Sequence, residues 1–530
     1  MPDSQLHDGH ALTPLRERLA EVFDLHRAAA VLEWDQETYM PPGGAEARAA
    51  QVATLRRLAH ERFTDDAVAA WLDAAERETA GLDEDDYDRA LVRVTRRDHA
   101  RATRLPSALV AALAEAKGHA LEAWKAARAD DDYAAFAPHL QRILDLQREK
   151  AERLVPLLAE ERAAAGTALS DEPLYDALLD EYEPGATTSE VALVFDALSE
   201  HLVPLVEAVA GRPPVDDAVL RRHYPEGAQW AFGLEVARAL GYDLDRGRQD
   251  RSAHPFTTAF ATTDVRITTR LDEAFFPSAF FGTIHEVGHA LYEQGVDPAL
   301  DRTPLADGTS LGMHESQSRL WENLVGRSRA FWAHWLPRAQ AHFPEALGGV
   351  DAEAMYRAVN RVAPSLIRVE ADELTYHLHI LLRFEIERAL VAGRLAVADV
   401  PDAWNARMEA LLGLTPPTDA EGCLQDIHWA LGALGYFPTY TLGTLMSVQL
   451  LDAARRDLGD PSTGSGQTLD DALARGTYRP LLGWLREHVH RWGRVRSARQ
   501  ILEATTGRPL TAEPWLAYAR AKFGELYGLG

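Results

Sequence analysis

The sequence predicts a mainly α-helical protein with one small β-sheet, and three observations lead there. Ala, Leu, Arg and Glu dominate the 530 residues, and all four form helices readily. Long stretches place apolar residues three and four apart, with charged residues on the opposite face. One window, Phe256 to Thr269, abandons that spacing for β-branched residues.

The helical spacing runs through Leu15–Leu32, Glu46–His60, Asp85–Thr103 and Ser107–Arg128. Met40-Pro-Pro-Gly-Gly44, Tyr182-Glu-Pro-Gly185 and Arg212-Pro-Pro214 punctuate it. In the exceptional window, Asp264-Val-Arg-Ile-Thr268 alternates polar and apolar residues, which predicts a short sheet just before the next helix. Ala430–Leu451 holds no charged residue and is long enough to cross a bilayer. Its three glycines, Pro438, threonines, Ser447 and Gln449 point instead to a buried segment. Pro461-Ser-Thr-Gly-Ser-Gly466 reads as a surface loop. No long linker or fixed-period repeat divides the chain, so one helical domain over 1–530, split by a cleft, is expected.

Composition narrows the function. With 46% hydrophobic and 26% charged residues the chain is an ordinary soluble type. A net charge of −26 argues against nucleic acid or an anionic membrane as partner. The single cysteine, Cys423, cannot form an intrachain disulfide, which suits a reducing cytoplasm. The opening MPDSQLHDGH lacks the basic and apolar regions of a secretory signal, so a cytoplasmic location is expected.

The chemistry concentrates between about 254 and 440. Phe280-Phe-Gly-Thr-Ile-His-Glu-Val-Gly-His-Ala-Leu-Tyr292 contains H-E-x-x-H at 285–289. Residues four apart share a helix face, so His285 and His289 can reach one ion. Glu286, about 100° further round, can touch a metal-activated water without ligating, as a general base. Gly288 permits close approach of substrate or another backbone. A second cluster, Gly312-Met-His-Glu-Ser-Gln-Ser-Arg-Leu-Trp-Glu-Asn323, supplies the third ligand, Glu315; a third histidine six residues past the second is excluded because position 295 is Gly. His314 is read as a structural or ligand-supporting group, with ligation as the alternative. Glu322, two turns after Glu315, either orients a ligand histidine or pairs with a cation. The bland alternative for the whole motif is a helix with two exposed or hydrogen-bonded histidines.

With these residues in view, the chain resembles the carboxypeptidase Taq family, thermostable metallocarboxypeptidases of the gluzincin type. His254-Pro-Phe256 resembles its HPF element and Asp264–Thr268 its D-x-R-x-T strand. His285–His289 and His314-Glu-Ser-Gln317 supply the metal site. Ile367-Arg-Val-Glu-Ala-Asp372 resembles I-R-x-x-A-D, and Gly422-Cys-Leu-Gln-Asp-Ile-His-Trp429 resembles G-x-x-Q-D-x-H-W. Trp34–Gly44, Leu174–Asp180 and the aromatic run Gly435–Tyr440 extend the likeness over nearly the whole chain. The resemblance implies a saddle-like helical molecule with a deep cleft, the architecture of neurolysin-like and angiotensin-converting peptidases. It also implies a zinc or cobalt enzyme, one ion per chain, often homodimeric, removing single residues from peptides with a free C terminus.

Roles for the remaining residues follow from that resemblance. Arginine's planar fork matches a terminal carboxylate, so Arg368 is the first candidate to bind it and Arg266 the second. Their alternatives are ion pairs with Asp372 and Asp264. His428 is assigned to substrate or oxyanion binding and Tyr440 to transition-state stabilisation, with Tyr436 as the substitute phenol. Gln425 and Asp426 are expected to orient His428, with a helix cap as the equal alternative for Asp426, His254 to brace the sheet or site, and Cys423 to fill space. An oligopeptide endopeptidase and a non-catalytic zinc-containing scaffold are the competing readings.

Overall fold

The computed structural model describes residues 10–459 and 468–529, and the expected loop at Pro461–Gly466 lies outside them. The protein is mainly α-helical, with one three-stranded sheet. Backbone contacts divide it into two compact units, each built from three stretches of chain. The first takes residues 1–102, 216–359 and 447–509. The second takes 103–215, 360–446 and 510–530.

The first unit contains the sheet. β1 (Gln249–Arg251) pairs in parallel with β3 (Asp264–Thr269), and β2 (Thr257–Ala261) pairs antiparallel on the other side. The alternation read in the sequence survives as packing: Val265 and Ile267 of the central strand are fully buried. A bulge between Ala259 and Ala261 interrupts the β2–β3 register.

Against this sheet lies the motif helix, Phe276–Glu293, which opens with Pro277 in its first turn, where a missing N–H costs nothing. Its first half is rooted in an aromatic cluster. Phe276 and Phe280 stack at 4.9 Å, and Phe232 stacks on Phe280 at 5.1 Å. The sheet grips the helix through hydroxyls, Thr283 Oγ1 donating to Thr269 Oγ1 at 3.1 Å. A separate core in this unit joins Leu12, Leu15, Leu72 and Leu91 to Val296, Leu300, Leu305 and Val495.

A second helix, Leu311–Arg319, begins at Ser310, whose Oγ accepts the backbone N–H of Met313 at 3.0 Å. It continues directly into a π-helical segment, Leu320–Gly326. Such wide turns cluster at functional sites. The expected approach at Gly288 is to backbone: a Cβ there would lie 2.5 Å from Ser318 Cα and 2.7 Å from Gln317 O. Glycine therefore lets the two helices touch main chain to main chain.

In the second unit, Thr188–Ala210 starts with a capping box between Thr187 and Glu190. The uncharged stretch Ala430–Leu451 runs into the helix Pro438–Leu458 and is mostly buried. Among the described residues no helix is long and apolar enough to cross a membrane.

Candidate active site

His285, His289 and Glu315 come together. Each offers one ligand atom, and these atoms all lie within 4.8 Å of one another. His285 Nε2 is 3.7 Å and His289 Nε2 3.6 Å from Glu315 Oε2. Ligands about 2.1 Å from a tetrahedral zinc ion lie roughly 3.4 Å apart, so the triangle is close to the size such an ion needs. Two imidazoles and a carboxylate are the donor set of a catalytic zinc site with positions left for water and substrate.

The far side of each ligand is held. His285 Nδ1 is 2.9 Å from Glu322 Oε2, so Glu322 makes both contacts read for it, one to a histidine and one to cations. Arg319 donates to Glu315 Oε1 at 2.7 Å and to Glu322 Oε2 at 3.2 Å, while Arg327 donates to Glu322 Oε1 at 3.1 Å. His289 Nδ1 is 2.7 Å from His314 Nδ1, and His314 Nε2 is 2.7 Å from Glu293 Oε1. His314 therefore stands behind a ligand.

Electrostatics follow from this packing. Burial would push the Glu322 carboxyl up, but Arg319, His285 and Arg327 hold it well below the usual carboxylate range. Burial would lower His285, yet Glu315 and Glu322 leave it raised. Burial, then the neighbouring His314 and His285, keep His289 well below its ordinary value, in the neutral form a cation needs.

Glu286 is 7% exposed. Burial raises its carboxyl, with Glu315 adding to the effect, while His285 and Thr257 oppose it. Thr257 Oγ1, from β2, lies 2.6 Å from Glu286 Oε2. A carboxylate whose proton affinity is raised in this way is a better proton acceptor than a solvated one.

The other predicted residues group in the second unit. Arg368 is 5% exposed and donates through Nε and Nη2 to Asp426 Oδ1 at 3.1 and 2.7 Å. Its expected alternative partner, Asp372, instead accepts from Ala363, Leu374 and Thr375. Arg383 takes the other oxygen of Asp426 at 2.7 Å. The Arg368 guanidinium lies 5.2 Å from the Tyr440 ring centre, and Tyr440 Oη is 3.2 Å from His428 Nε2. Tyr436 packs on the same histidine, with ring centres 5.3 Å apart. Burial is the main reason the His428 imidazole falls to about 4, despite Asp426.

Three expectations change. Gln425 does not orient His428: its amide is spent on Arg368 N–H and the carbonyls of Leu366, Glu421 and Gly422. Asp426 is neither a helix cap nor bonded to His428, from which it stands 3.9 Å away; two arginines claim it. His254 is exposed, and only its backbone carbonyl is engaged, by Ser252 Oγ. Cys423 is buried, its thiol pushed up chiefly by desolvation, as a filler requires. Arg266 forms its alternative pair, bidentate with Asp264 at 2.9 and 2.8 Å, and lies over the Trp34 ring.

Sequence reasoning missed Thr257, Arg319, Arg327 and Glu293. Only Arg319 left a usable signal, four residues after Glu315 on one helix face. It also missed Glu387. This fully buried carboxylate accepts from Tyr175 Oη, Trp429 Nε1 and Gly435 N at 2.8 to 2.9 Å, tying down both ends of the 429–435 segment that follows His428.

Comparison with known proteins agrees with the geometry. Residues 14–523 match the family described as carboxypeptidase Taq (M32) metallopeptidase. The chain is 45% identical over 522 residues to thermostable carboxypeptidase 1 of Thermus thermophilus, covering 97% of this chain and 98% of the relative. It is 36% identical over 523 residues to thermostable carboxypeptidase 1 of Pyrococcus furiosus, covering 98% and 99%. The crystal structure of an M32 carboxypeptidase from Deinococcus radiodurans superposes with a TM-score of 0.91 at 43% identity, covering 98% of this chain and all of that one. The chain therefore belongs to the carboxypeptidase Taq (M32) family and is a metallocarboxypeptidase.

Proposed function

We propose that this metallocarboxypeptidase holds one zinc ion per chain on His285, His289 and Glu315 and removes single residues from peptides with a free C terminus, Glu286 being the general base. The convergence of two imidazole nitrogens and one carboxylate oxygen, beside a buried glutamate on the same helix, carries this reading. Cobalt fits the same donors. A divalent cation held there supplies Lewis acidity, lowering a water's pKa to about 7 and polarising the scissile carbonyl. Glu286 accepts the proton of the attacking water and delivers it to the leaving amine. Tyr440 donates its phenol O–H to the developing oxyanion, with His428 beside it and Tyr436 as the substitute.

Arg368 is our first candidate for the substrate's terminal carboxylate. Charge balance favours it, because among the described residues Asp426 is the carboxylate paired with both Arg368 and Arg383, one negative charge against two positive. Arg266, matched to its own Asp264, is the second candidate. A reducing compartment, hence the cytoplasm, suits the buried single thiol, and we propose a homodimer on the family resemblance; light scattering near twice 58.5 kDa checks the latter.

Mass spectrometry of a peptide digest tests the activity. A ladder shortened one residue at a time from the C terminus is expected, abolished by chelator and restored by zinc. A C-terminally amidated peptide should stay intact. Internal cleavage of that amidated peptide would instead establish an endopeptidase, and an uncut peptide under all conditions a non-catalytic scaffold.

A further inference from the structure

The two histidine ligands are supported unequally. His285 meets a carboxylate directly, at Glu322. Among the described residues His289 meets no carboxylate on its far nitrogen; it meets a second imidazole, His314, and beyond that a carboxylate, Glu293. Both gaps are 2.7 Å, and Glu293 is 7% exposed. The rings of His289 and His314 lie with centres 4.8 Å apart, and His314 is walled by the Tyr292 ring at 5.1 Å and by Gly308, where a Cβ would come within 2.6 Å of His314 Cδ2.

Proton positions follow from elimination, given the metal site proposed above. His289 Nε2 faces Glu315 and must keep its lone pair for the cation. Its proton is then on Nδ1 and points at His314 Nδ1. Two N–H groups cannot face each other at 2.7 Å, so His314 Nδ1 is the acceptor. A neutral imidazole with an accepting Nδ1 carries its proton on Nε2, which donates to Glu293 Oε1. The geometry points to His314 and Glu293 as a two-residue relay that fixes the tautomer and ring orientation of His289 and raises its basicity towards the ion. They are positioning residues acting through His289, the role carboxylates usually fill by direct contact.

Zinc affinity, measured by competition with a chromogenic chelator, tests this on the full-length protein. Glu293→Gln and His314→Phe should each weaken zinc binding roughly tenfold or more. The double variant should bind no more weakly than His314→Phe alone, because Glu293 reaches the ion only through that ring. His314→Gln supplies the discriminating comparison. A glutamine amide offers one acceptor and one donor on neighbouring atoms and can rebuild the relay, whereas phenylalanine keeps only ring volume. Glutamine should therefore hold zinc more tightly than phenylalanine at this position. Equal binding by the two, a preference for phenylalanine, or a Glu293→Gln affinity within twofold of the parent would overturn the relay. His289→Ala serves as the separate control: zinc binding unchanged in that variant would refute the metal site itself.

Discussion

Nδ1 of His285 and Oε2 of Glu322 stand 2.9 Å apart, on the motif helix and the π-helical segment respectively. The contact aims the ring. With Nδ1–H directed at Glu322, the Nε2 lone pair turns to Glu315, and two arginines keep Glu322 charged for the task. A plain α-helical reading placed Glu322 on the face of Glu315; the wide turn contains it and the contact is made.

Replacing Glu322 by Gln should weaken zinc binding about tenfold to a hundredfold. It leaves Arg319 and Arg327 facing a neutral amide, so the metal-free protein should also melt earlier. Metal content after dialysis against a weak chelator, compared with the parent, measures the first effect. Full retention of zinc would remove Glu322 from the support of His285.

Glu286→Gln should retain metal and lose turnover by about 10²- to 10⁴-fold, the usual contribution of a positioned base. Steady-state kinetics on a short peptide, with metal content measured in parallel, checks it. A variant turning over at nearly the parental rate would mean that another group takes the proton.

Gly288→Ala should destabilise the protein by about 1–3 kcal/mol, the range for overpacking a tight interior. The new methyl would meet main chain on the Leu311–Arg319 helix, which has no flexible side-chain end to swing aside. Thermal melting reads this directly. An unchanged melting temperature would show that the two helices can part at no cost.

Burial lowers His428 to about 4 from an ordinary value of 6.5. The sign runs as for any base held neutral: the unfolded chain gains a proton near pH 6.5 and the folded chain does not until about 4. Stability from this group is thus complete above pH 6.5 and drains away as pH falls towards 4, by up to about 3 kcal/mol. Urea unfolding at pH 7.5 and pH 5 should show a smaller acid loss in His428→Gln than in the parent. Equal losses would mean that the imidazole takes its proton as easily in the fold as out of it.

The candidate metal ligands were legible because their logic is local. Two histidines four apart define a helix face, and Glu315 needed only a nearby second helix. The strand Asp264–Thr269 was equally plain, since one buried face imposes alternation on neighbouring residues. β1 was not: three residues, Gln249–Arg251, become a strand only by pairing with Ile267–Thr269. Thr257 was invisible as the partner of Glu286 because the fold, not spacing, joins a strand to a helix 29 residues on. Glu387 looked like one acid among the apolar and charged residues of its helix, and Tyr175, Trp429 and Gly435 reveal its purpose only in three dimensions. Arg368 showed the limit of spacing rules: Asp372 stood four residues away, yet backbone amides occupy it and Asp426 takes the arginine.

The core that joins Leu12 and Leu91 to Leu305 also needs Val495. During synthesis at about 5–20 residues per second, some 20 to 80 s separate the emergence of Leu91 from that of Val495. For that interval the apolar faces near the N terminus wait for their last partner, and the candidate metal ligands leave the ribosome before the last residue of that core is made.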